Sequence, residues 1–226
     1  MGLALLAGMG FGLVMGWTPG VALTVGLFAY NSVAVGPMLQ RGIEDRVRSL
    51  RVSTLRAFRD IAVTNRRRFG SHIIHLGVAL LALAIAFSQA YRVEAQKTLR
   101  IGESWRVMGL ELRLQRVGAM EERNRFAVVA TVQSPTLGLL RPRLNFYPTM
   151  QAPLAAPSVK YTLLNDYYLV LQEYDRQKGE WATLRLILTP MVLWLWFGGT
   201  LIMCGILHVL WPLSQEVRAG TRQLPS

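Results

Sequence analysis

The sequence predicts a polytopic α-helical membrane protein with about four transmembrane helices and a small periplasmic β-rich domain between the last two. Three observations support this class. Of the 226 residues 52% are hydrophobic, only 17% are charged, and the charges lie in separate blocks along the chain. Soluble domains carry about a quarter charged residues, so a disordered chain is excluded and an ordinary soluble enzyme is disfavoured. The single cysteine, Cys204, excludes a disulfide framework and a cysteine-rich metal site.

Residues 1–40 carry no charge and are too long for one membrane crossing. A bilayer core of about 30 Å needs about 20 helical residues. The Thr-Pro-Gly turn signal at 18–20 divides this segment and predicts transmembrane helices at 2–17 and 20–38. A signal peptide is the alternative interpretation, but the sequence has neither a basic n-region nor a small-residue cleavage site.

Residues 41–70 hold nine arginines against three acidic residues. Apolar residues recur among the arginines at near-helical spacing, which predicts an amphipathic connector on the inner membrane surface. A docking arm for a partner protein is the other interpretation, and the sequence does not separate the two. Because arginines next to apolar spans are typical of cytoplasmic loops, membrane lipid is the expected partner of this charge, and no nucleic acid is expected.

Two further spans are predicted at 71–90 and 186–211, and a short tail occupies 212–226. The positive-inside rule then places the connector and both termini in the cytoplasm and residues 91–185 in the periplasm. The outer segment exceeds about 60 residues, a size that is translocated whatever its charge. The predicted location is the inner (cytoplasmic) membrane, with several crossings.

The outer segment, 91–185, has the pattern of β structure. Leucines alternate with polar residues over 110–114, and β-rich runs occur at 126–133 and 167–171. Glycines and prolines separate these runs. About 95 residues suffice for a small barrel or sandwich.

Two of the three histidines, His72 and His75, lie at the start of the third span. The helix face through His75 carries only small or polar residues: His72, His75, Ala79, Ala82, Ala86 and Gln89. In one interpretation this face allows close helix packing, and the histidines bond to neighbouring helices. In the other it leaves room for a flat macrocycle whose iron a histidine ligates. The pattern alone favours packing.

Other candidate residues are interpreted as structural. His208, beside Trp211, is predicted to lie at the membrane interface. Cys204 lies in the middle of the last span and is predicted to be a small buried residue. Thiol exchange is not expected, because this cysteine has no partner in a CxxC motif. No glycine-rich phosphate loop and no H-E-x-x-H motif occurs.

A set of motifs lies between residues 66 and 200: His75-Leu76-Gly77 after an arginine-rich segment, the adjoining AIAFSQAYRVE, Asn145-Phe146-Tyr147-Pro148, Asp166-Tyr167-Tyr168, and the run from Pro190 to Gly199. As a set they resemble the C-terminal part of the cytochrome c maturation family CcmF, the system I heme lyases. The first 40 residues resemble the two preceding helices of that family more loosely.

The resemblance implies a heme-handling membrane protein that helps to attach heme covalently to the cysteines of apocytochrome c. It implies heme delivery by the heme chaperone CcmE, and CcmH as a second partner. It also implies a heme b held between two histidines within the membrane, one of which matches His75. The expected metal-binding residue is therefore His75, as an axial ligand of the heme iron, and no residue of this chain is expected to be catalytic. The resemblance gives His72 no role.

The chain departs from the family pattern in what it lacks. The tryptophan-rich external motif, the two external heme-ligand histidines and the second intramembrane histidine belong to the N-terminal half of the family. We therefore expect a split-gene product or a fragment, inactive as a lyase without its N-terminal counterpart. His72 and His75 are expected to point to the same side of one helix, so they cannot bracket one iron from opposite faces.

Two other hypotheses remain. The chain is alternatively a non-catalytic scaffold or accessory subunit of a cytochrome c maturation or respiratory complex, with histidines that only pack. A transporter fragment is disfavoured, because no acidic residue lies within a span. In the periplasmic segment, Arg141, Arg143 and Lys160 are candidates to meet heme propionates or a partner, although exposed charges are ordinarily just solvated.

Overall fold

The computed structural model describes residues 2–122 and 124–210. These divide into two compact units. One is helical and contains the described residues up to 86 and from 194 onward, and the other is a β domain of residues 87–193. The predicted tail at 212–226 lies outside the described residues.

Helices α1 (Gly2–Val14) and α2 (Pro19–Leu50) form an antiparallel pair at the start of the helical unit. Gly16 has a φ of 74°, a left-handed conformation that glycine adopts without steric cost, and it reverses the chain after α1. Pro19 lies in the first turn of α2, where its missing N–H leaves no helical hydrogen bond unmade.

Three of the described helices are long and apolar enough to cross a bilayer: α2, α4 (Arg66–Ala90) and α5 (Val192–Leu210). Helix α1 has 13 residues and is about 20 Å long, which is short of the roughly 30 Å hydrocarbon core. The predicted count of four transmembrane helices is therefore not confirmed, and the predicted helix at 2–17 ends at Val14.

The predicted end of the second helix at residue 38 is wrong. Helix α2 continues through Pro37 and ends at Leu50. A proline removes one backbone hydrogen bond, but the half-buried side chains of Leu39, Ile43 and Val47 continue at helical spacing beyond it. The basic connector predicted at 41–70 therefore begins inside α2.

Helix α3 (Thr54–Thr64) forms the middle of this connector. Arg51, at a φ of 53°, ends α2, and the Ser53 hydroxyl then caps α3 by accepting from the backbone N–H of Arg56 at 3.4 Å. Ala57 and Ile61 of α3 are buried while its arginines are exposed, which is the distribution of an amphipathic helix.

Helices α4 and α5 pack through reciprocal glycines. A Cβ built on Gly77 would lie 2.9 Å from the carbonyl oxygen of Gly198, and one on Gly198 would lie 3.0 Å from the carbonyl oxygen of Gly77. Gly70 and Gly205 repeat this relation seven residues away, with contacts of 3.1 and 3.0 Å. The constant step of seven residues in opposite directions makes the two helices antiparallel, with backbones that touch.

The described residues of the β domain form ten strands: β1 (Val93–Arg100), β2 (Ser104–Val107), β3 (Leu110–Glu122), β4 (Arg125–Ser134), β5 (Gly138–Leu140), β6 (Arg143–Phe146), β7 (Leu154–Ala156), β8 (Ser158–Tyr161), β9 (Asn165–Tyr174) and β10 (Trp181–Pro190). They form two antiparallel sheets, one ordered β1-β10-β9-β8 and the other β2-β3-β4-β6-β7, with β5 paired to β4.

The two sheets share one hydrophobic core. The predicted alternation is confirmed on β3, where Leu110, Leu112 and Leu114 are at most 5% exposed. Leu184 and Leu186 on β10 are fully buried in the same core. Side chains at every second position therefore supply the core, as expected for strands with one buried face.

The boundary predicted between the β domain and the last helix is corrected by β10. This strand occupies 181–190 and pairs on one side with β1 and on the other with β9. The prediction counted residues 186–190 as part of the transmembrane span, because Leu186, Ile187 and Leu188 are apolar. Burial in a central strand explains that apolar run equally well, and α5 begins only at Val192.

Substitution of the glycines of α5 tests the backbone contact between α4 and α5. Gly198→Ala places a methyl group 3.0 Å from the carbonyl oxygen of Gly77 and from Leu81, so we expect a loss of about 1–3 kcal/mol in the free energy of unfolding. The adjacent Gly199 has open space around its Cα. Gly199→Ala is the matched control and should be neutral or slightly stabilising. Thermal unfolding of the detergent-solubilised protein, followed by helical circular dichroism, measures both, and equal effects would contradict the packing.

Candidate functional site

The predicted ligand His75 lies on α4 with its side chain exposed. Its Nδ1 is 2.7 Å from the backbone carbonyl oxygen of Ser71 and 3.4 Å from the Ser71 hydroxyl. A carbonyl oxygen only accepts hydrogen bonds, so Nδ1 carries the proton and donates it. The neutral ring then keeps its lone pair on Nε2.

This arrangement is the one that metal-ligating histidines adopt. Such histidines bind metal through one ring nitrogen and donate the other N–H to a carbonyl or carboxylate, which fixes the tautomer and the ring orientation. In His75 the nitrogen that makes these hydrogen bonds is Nδ1, and its partner Ser71 lies one helical turn earlier. Among the described residues no hydrogen bond involves Nε2. The chemistry of the residue therefore suits a metal ligand that would bind through Nε2.

His72 lies in a different environment from His75. It lines a cavity between α2, α3 and α4, whereas His75 does not contribute to that cavity. The two residues are three apart in one helix and therefore lie only about 60° apart around it, but only His72 borders the cavity. His72 lies at the wall of a partly open cavity, and the side chain of His75 is exposed.

The predicted small face of α4 is not the face that packs on α5. The glycine contacts to α5 come from Gly70 and Gly77, which the predicted face does not include. On the predicted face Ala79 is buried, while His75 and Gln89 are exposed. The residues that allow close packing and the residues around the candidate ligand are thus separate sets.

His208 holds helices together, a role that the sequence did not predict. Its Nε2 donates to the carbonyl oxygen of Ala62 at 2.9 Å, and its ring meets Phe69 edge-on at 5.5 Å. Arg66 donates to the carbonyl oxygens of His208 and Val209 at 2.8 to 3.1 Å. Nε2 of His208 is therefore engaged in a hydrogen bond between helices.

The prediction for Cys204 is wrong, since its side chain is exposed. The buried positions of α5 are Gly198 and Gly205. Cys204 immediately precedes Gly205 and is rotated by about 100° from it around the helix. An apolar stretch in the middle of a span does not show which of its faces meets another helix.

Two of the three basic residues predicted to contact propionates or a partner lie together. Arg141 and Arg143 line a cavity of about 200 Å³ on the β domain, and Arg116 joins them. Lys160 lies on β8 of the other sheet. The strand register brings Arg116 close to Arg143. Arg116 on β3 pairs with Thr131 on one edge of β4, and Arg143 on β6 pairs with Val129 on the other edge of β4. Sequence alone did not give that pairing.

The Asp166-Tyr167-Tyr168 motif places a carboxyl group inside the β domain. Asp166 is 2% exposed, and its Oδ1 has no hydrogen-bond partner among the described residues. Burial raises the pKa of Asp166 above its usual value of 3.8, against the opposing effect of a hydrogen bond with Tyr168. The pKa of Tyr168 is also raised, first by burial and then by the neighbouring Asp166.

Comparison with known proteins gives relatives of one kind. The chain is 29% identical over 159 residues to the cytochrome c-type biogenesis protein CcmF of Escherichia coli, which covers 69% of this chain and 24% of that protein. It is 27% identical over 146 residues to CcmF of Haemophilus influenzae, with coverage of 62% and 22%. The solved structure of a cytochrome c heme lyase CcmF superposes on this chain with a TM-score of 0.68 at 41% identity. The resemblance to CcmF is confirmed.

The match covers most of this chain but only a part of each relative. The solved CcmF structure accounts for 93% of this chain, but this chain accounts for 33% of that structure. The chain spans about a quarter of the length of the curated CcmF relatives that it matches. No family model matches the chain. The relatives are thus cytochrome c biogenesis proteins much longer than the chain described here.

The buried carboxyl group of Asp166 gives a pH-dependent prediction. Because its folded pKa is raised, the folded state binds the proton more tightly than the unfolded state, and stability falls as pH rises above about 3.8. Asp166→Asn removes this loss. The stability of the variant relative to the wild type should therefore increase between about pH 4 and pH 7, the range above the reference carboxyl pKa, in unfolding followed by β-sheet circular dichroism.

Asp175 supplies a control of opposite sign. Backbone N–H groups of Gln177 and Glu180 lower the pKa of this exposed carboxyl group. Its contribution to stability is therefore present above the usual pKa and lost as pH falls. The stability of Asp175→Asn relative to the wild type should decrease as pH rises from about 1 to about 5 and stay level above that range. An increase with rising pH for Asp175→Asn would contradict the assignment.

Proposed function

We propose that this chain is the C-terminal part of a cytochrome c heme lyase and that His75 supplies one axial ligand to a heme b within the membrane. The observation that carries the proposal is the state of the His75 ring. Its Nδ1–H donates to the Ser71 carbonyl oxygen at 2.7 Å, and the lone pair of Nε2 is left to bind a metal. The similarity to proteins named cytochrome c-type biogenesis protein and heme lyase supplies the reaction.

The ligand position needs a second contributor. His72 lines a separate cavity, and His208 donates its Nε2 proton to Ala62. Since these are the only other histidines of the sequence, a second histidine ligand would be supplied by another segment. The N-terminal half of the relatives is the proposed source, whether it belongs to the same polypeptide or to another. The exposure of His75 leaves the ligand open to such a helix.

Each part of the chain then has a task. His75 binds and orients, and the glycine contact between α4 and α5 fixes the rotation of the helix that carries it. A bound heme b would supply one-electron transfer at this position. The β domain, with Arg116, Arg141 and Arg143 gathered on one surface, presents positive charge to anionic groups of partners.

The partners proposed for the complete lyase are CcmE, which brings heme, CcmH, and apocytochrome c, whose cysteines receive it. The proposed location is the inner membrane, with the β domain in the periplasm. The basis is the charge distribution: nine arginines fall within 41–70, at the end of α2, in α3 and at the start of α4. Such segments are retained in the cytoplasm.

Substitution of the two neighbouring histidines tests the ligand assignment. Loss of a first ligand should cost at least as much as loss of an outer-shell partner, so His75→Ala should lower heme content by at least about tenfold. His72→Ala is the matched control and should keep its heme. The measurement is the reduced-minus-oxidised visible spectrum of the detergent-purified chain co-expressed with the N-terminal half. Cytochrome c yield in the same cells tests the lyase function.

The outcomes separate the two candidate functions. Added imidazole should restore a b-type spectrum to His75→Ala, because it fills the vacated coordination position. If His75→Ala keeps both its heme and its cytochrome c yield, the ligand and lyase assignments fail and a scaffold remains. If heme is lost while the yield is unchanged, the ligand assignment stands but heme at His75 is not needed for attachment.

A further inference from the structure

Helices α2, α3 and α4 enclose a cavity of about 410 Å³. This volume lies in the range of sites that bind small molecules in proteins. Two of the three helices, α2 and α4, are among those long and apolar enough to cross a bilayer. The cavity is therefore walled by membrane-crossing helices at their arginine-rich ends.

Most of the lining is apolar, and Val35, Leu39 and Leu76 lie toward the interior of the apolar segments. From Val35 to Arg46 along α2 the helical rise is about 16 Å, and from Arg68 to Leu76 along α4 it is about 12 Å. A molecule that fills the space therefore meets hydrocarbon over most of its length and positive charge toward the basic ends of both helices.

The charges of the cavity are not fully neutralised within the chain. Arg46 donates through Nε to Asp60 at 2.8 Å, which leaves its terminal nitrogens free of that contact. Arg68 also lines the cavity, and within residues 2–122 and 124–210 it has no hydrogen bond or ion pair. The two charged side chains that line the cavity are both arginines, and only Arg46 has a carboxylate partner, so the site carries a net positive charge. Guanidinium groups bind phosphate with several directed hydrogen bonds.

We propose that this cavity binds one anionic phospholipid, with the phosphate at Arg46 and Arg68 and an acyl chain against Val35, Leu39 and Leu76. A free phosphate ion would leave the apolar walls uncovered, and a neutral amphiphile would leave Arg68 unpaired. A phospholipid satisfies both requirements, and its phosphate lies at the level where arginines end a membrane helix. The site is distinct from His75 and does not depend on the proposed heme chemistry.

The charge requirement is tested by lipid retention. The full chain is purified in detergent, incubated with phosphatidylglycerol or phosphatidylcholine, and examined by native mass spectrometry. The wild type should retain phosphatidylglycerol preferentially. Arg68→Gln should lower this preference about fivefold, the expected effect of one arginine near a membrane phosphate. Arg67→Gln is the matched control, because the adjacent arginine has the same charge and does not line the cavity.

The apolar requirement is tested by filling the cavity. Leu39→Trp should lower retention of both lipids, whereas Val33→Trp should not, since Val33 is 54% exposed and does not line the cavity. Thermal unfolding of each variant establishes that it is folded, and a lipid loss that appears only in unfolded variants counts against the site. Equal effects of Arg68→Gln and Arg67→Gln overturn the proposal. Displacement of the lipid by excess inorganic phosphate alone, or co-purification of a quinone or heme that Leu39→Trp removes, also overturns it.

Discussion

The backbone contact between α4 and α5 is the constraint on which the helical unit depends. Within a bilayer, apolar side chains gain nothing by leaving lipid for another helix, so association depends on close packing and on hydrogen bonds. Gly77 and Gly198 supply the close packing, each with its carbonyl oxygen at the position of the other's missing side chain. Arg66 supplies the hydrogen bonds, at the far end of the same pair of helices.

This contact also fixes what the other faces of α4 do. His75 lies two residues before Gly77 and is rotated by about 200° from it, so it faces away from α5. His72 is rotated by about 140° and borders the cavity with α2 and α3. The glycine contact thus fixes the rotation of α4. One face packs on α5, a second borders the cavity, and a third carries the exposed imidazole of His75.

Patterns with a local cause were predictable from the sequence. Alternation of leucines gave β3, the arginine block gave an amphipathic helical connector, and the motif around His75 gave the family. Features that depend on a distant partner were not predictable. The apolar run from Leu186 was assigned to a helix because nothing local shows that β1 and β9 pair with it. The same is true of two contacts between residues distant in sequence. One is the clamp formed by the hydrogen bonds from Arg66 to the end of α5, and the other is the proximity of Arg116 to Arg143.

The clamp has a consequence for how the protein tolerates bilayers of different thickness. The last carbonyl groups of a helix have no partner within the helix and ordinarily accept hydrogen bonds from water or from a capping group. In α5 the carbonyl oxygens of His208 and Val209 receive the Arg66 guanidinium instead. This helix has 19 residues and is about 28 Å long, slightly less than a typical hydrocarbon core. Because its end is satisfied by protein, hydrophobic mismatch at that end carries a smaller penalty than it would for an isolated helix.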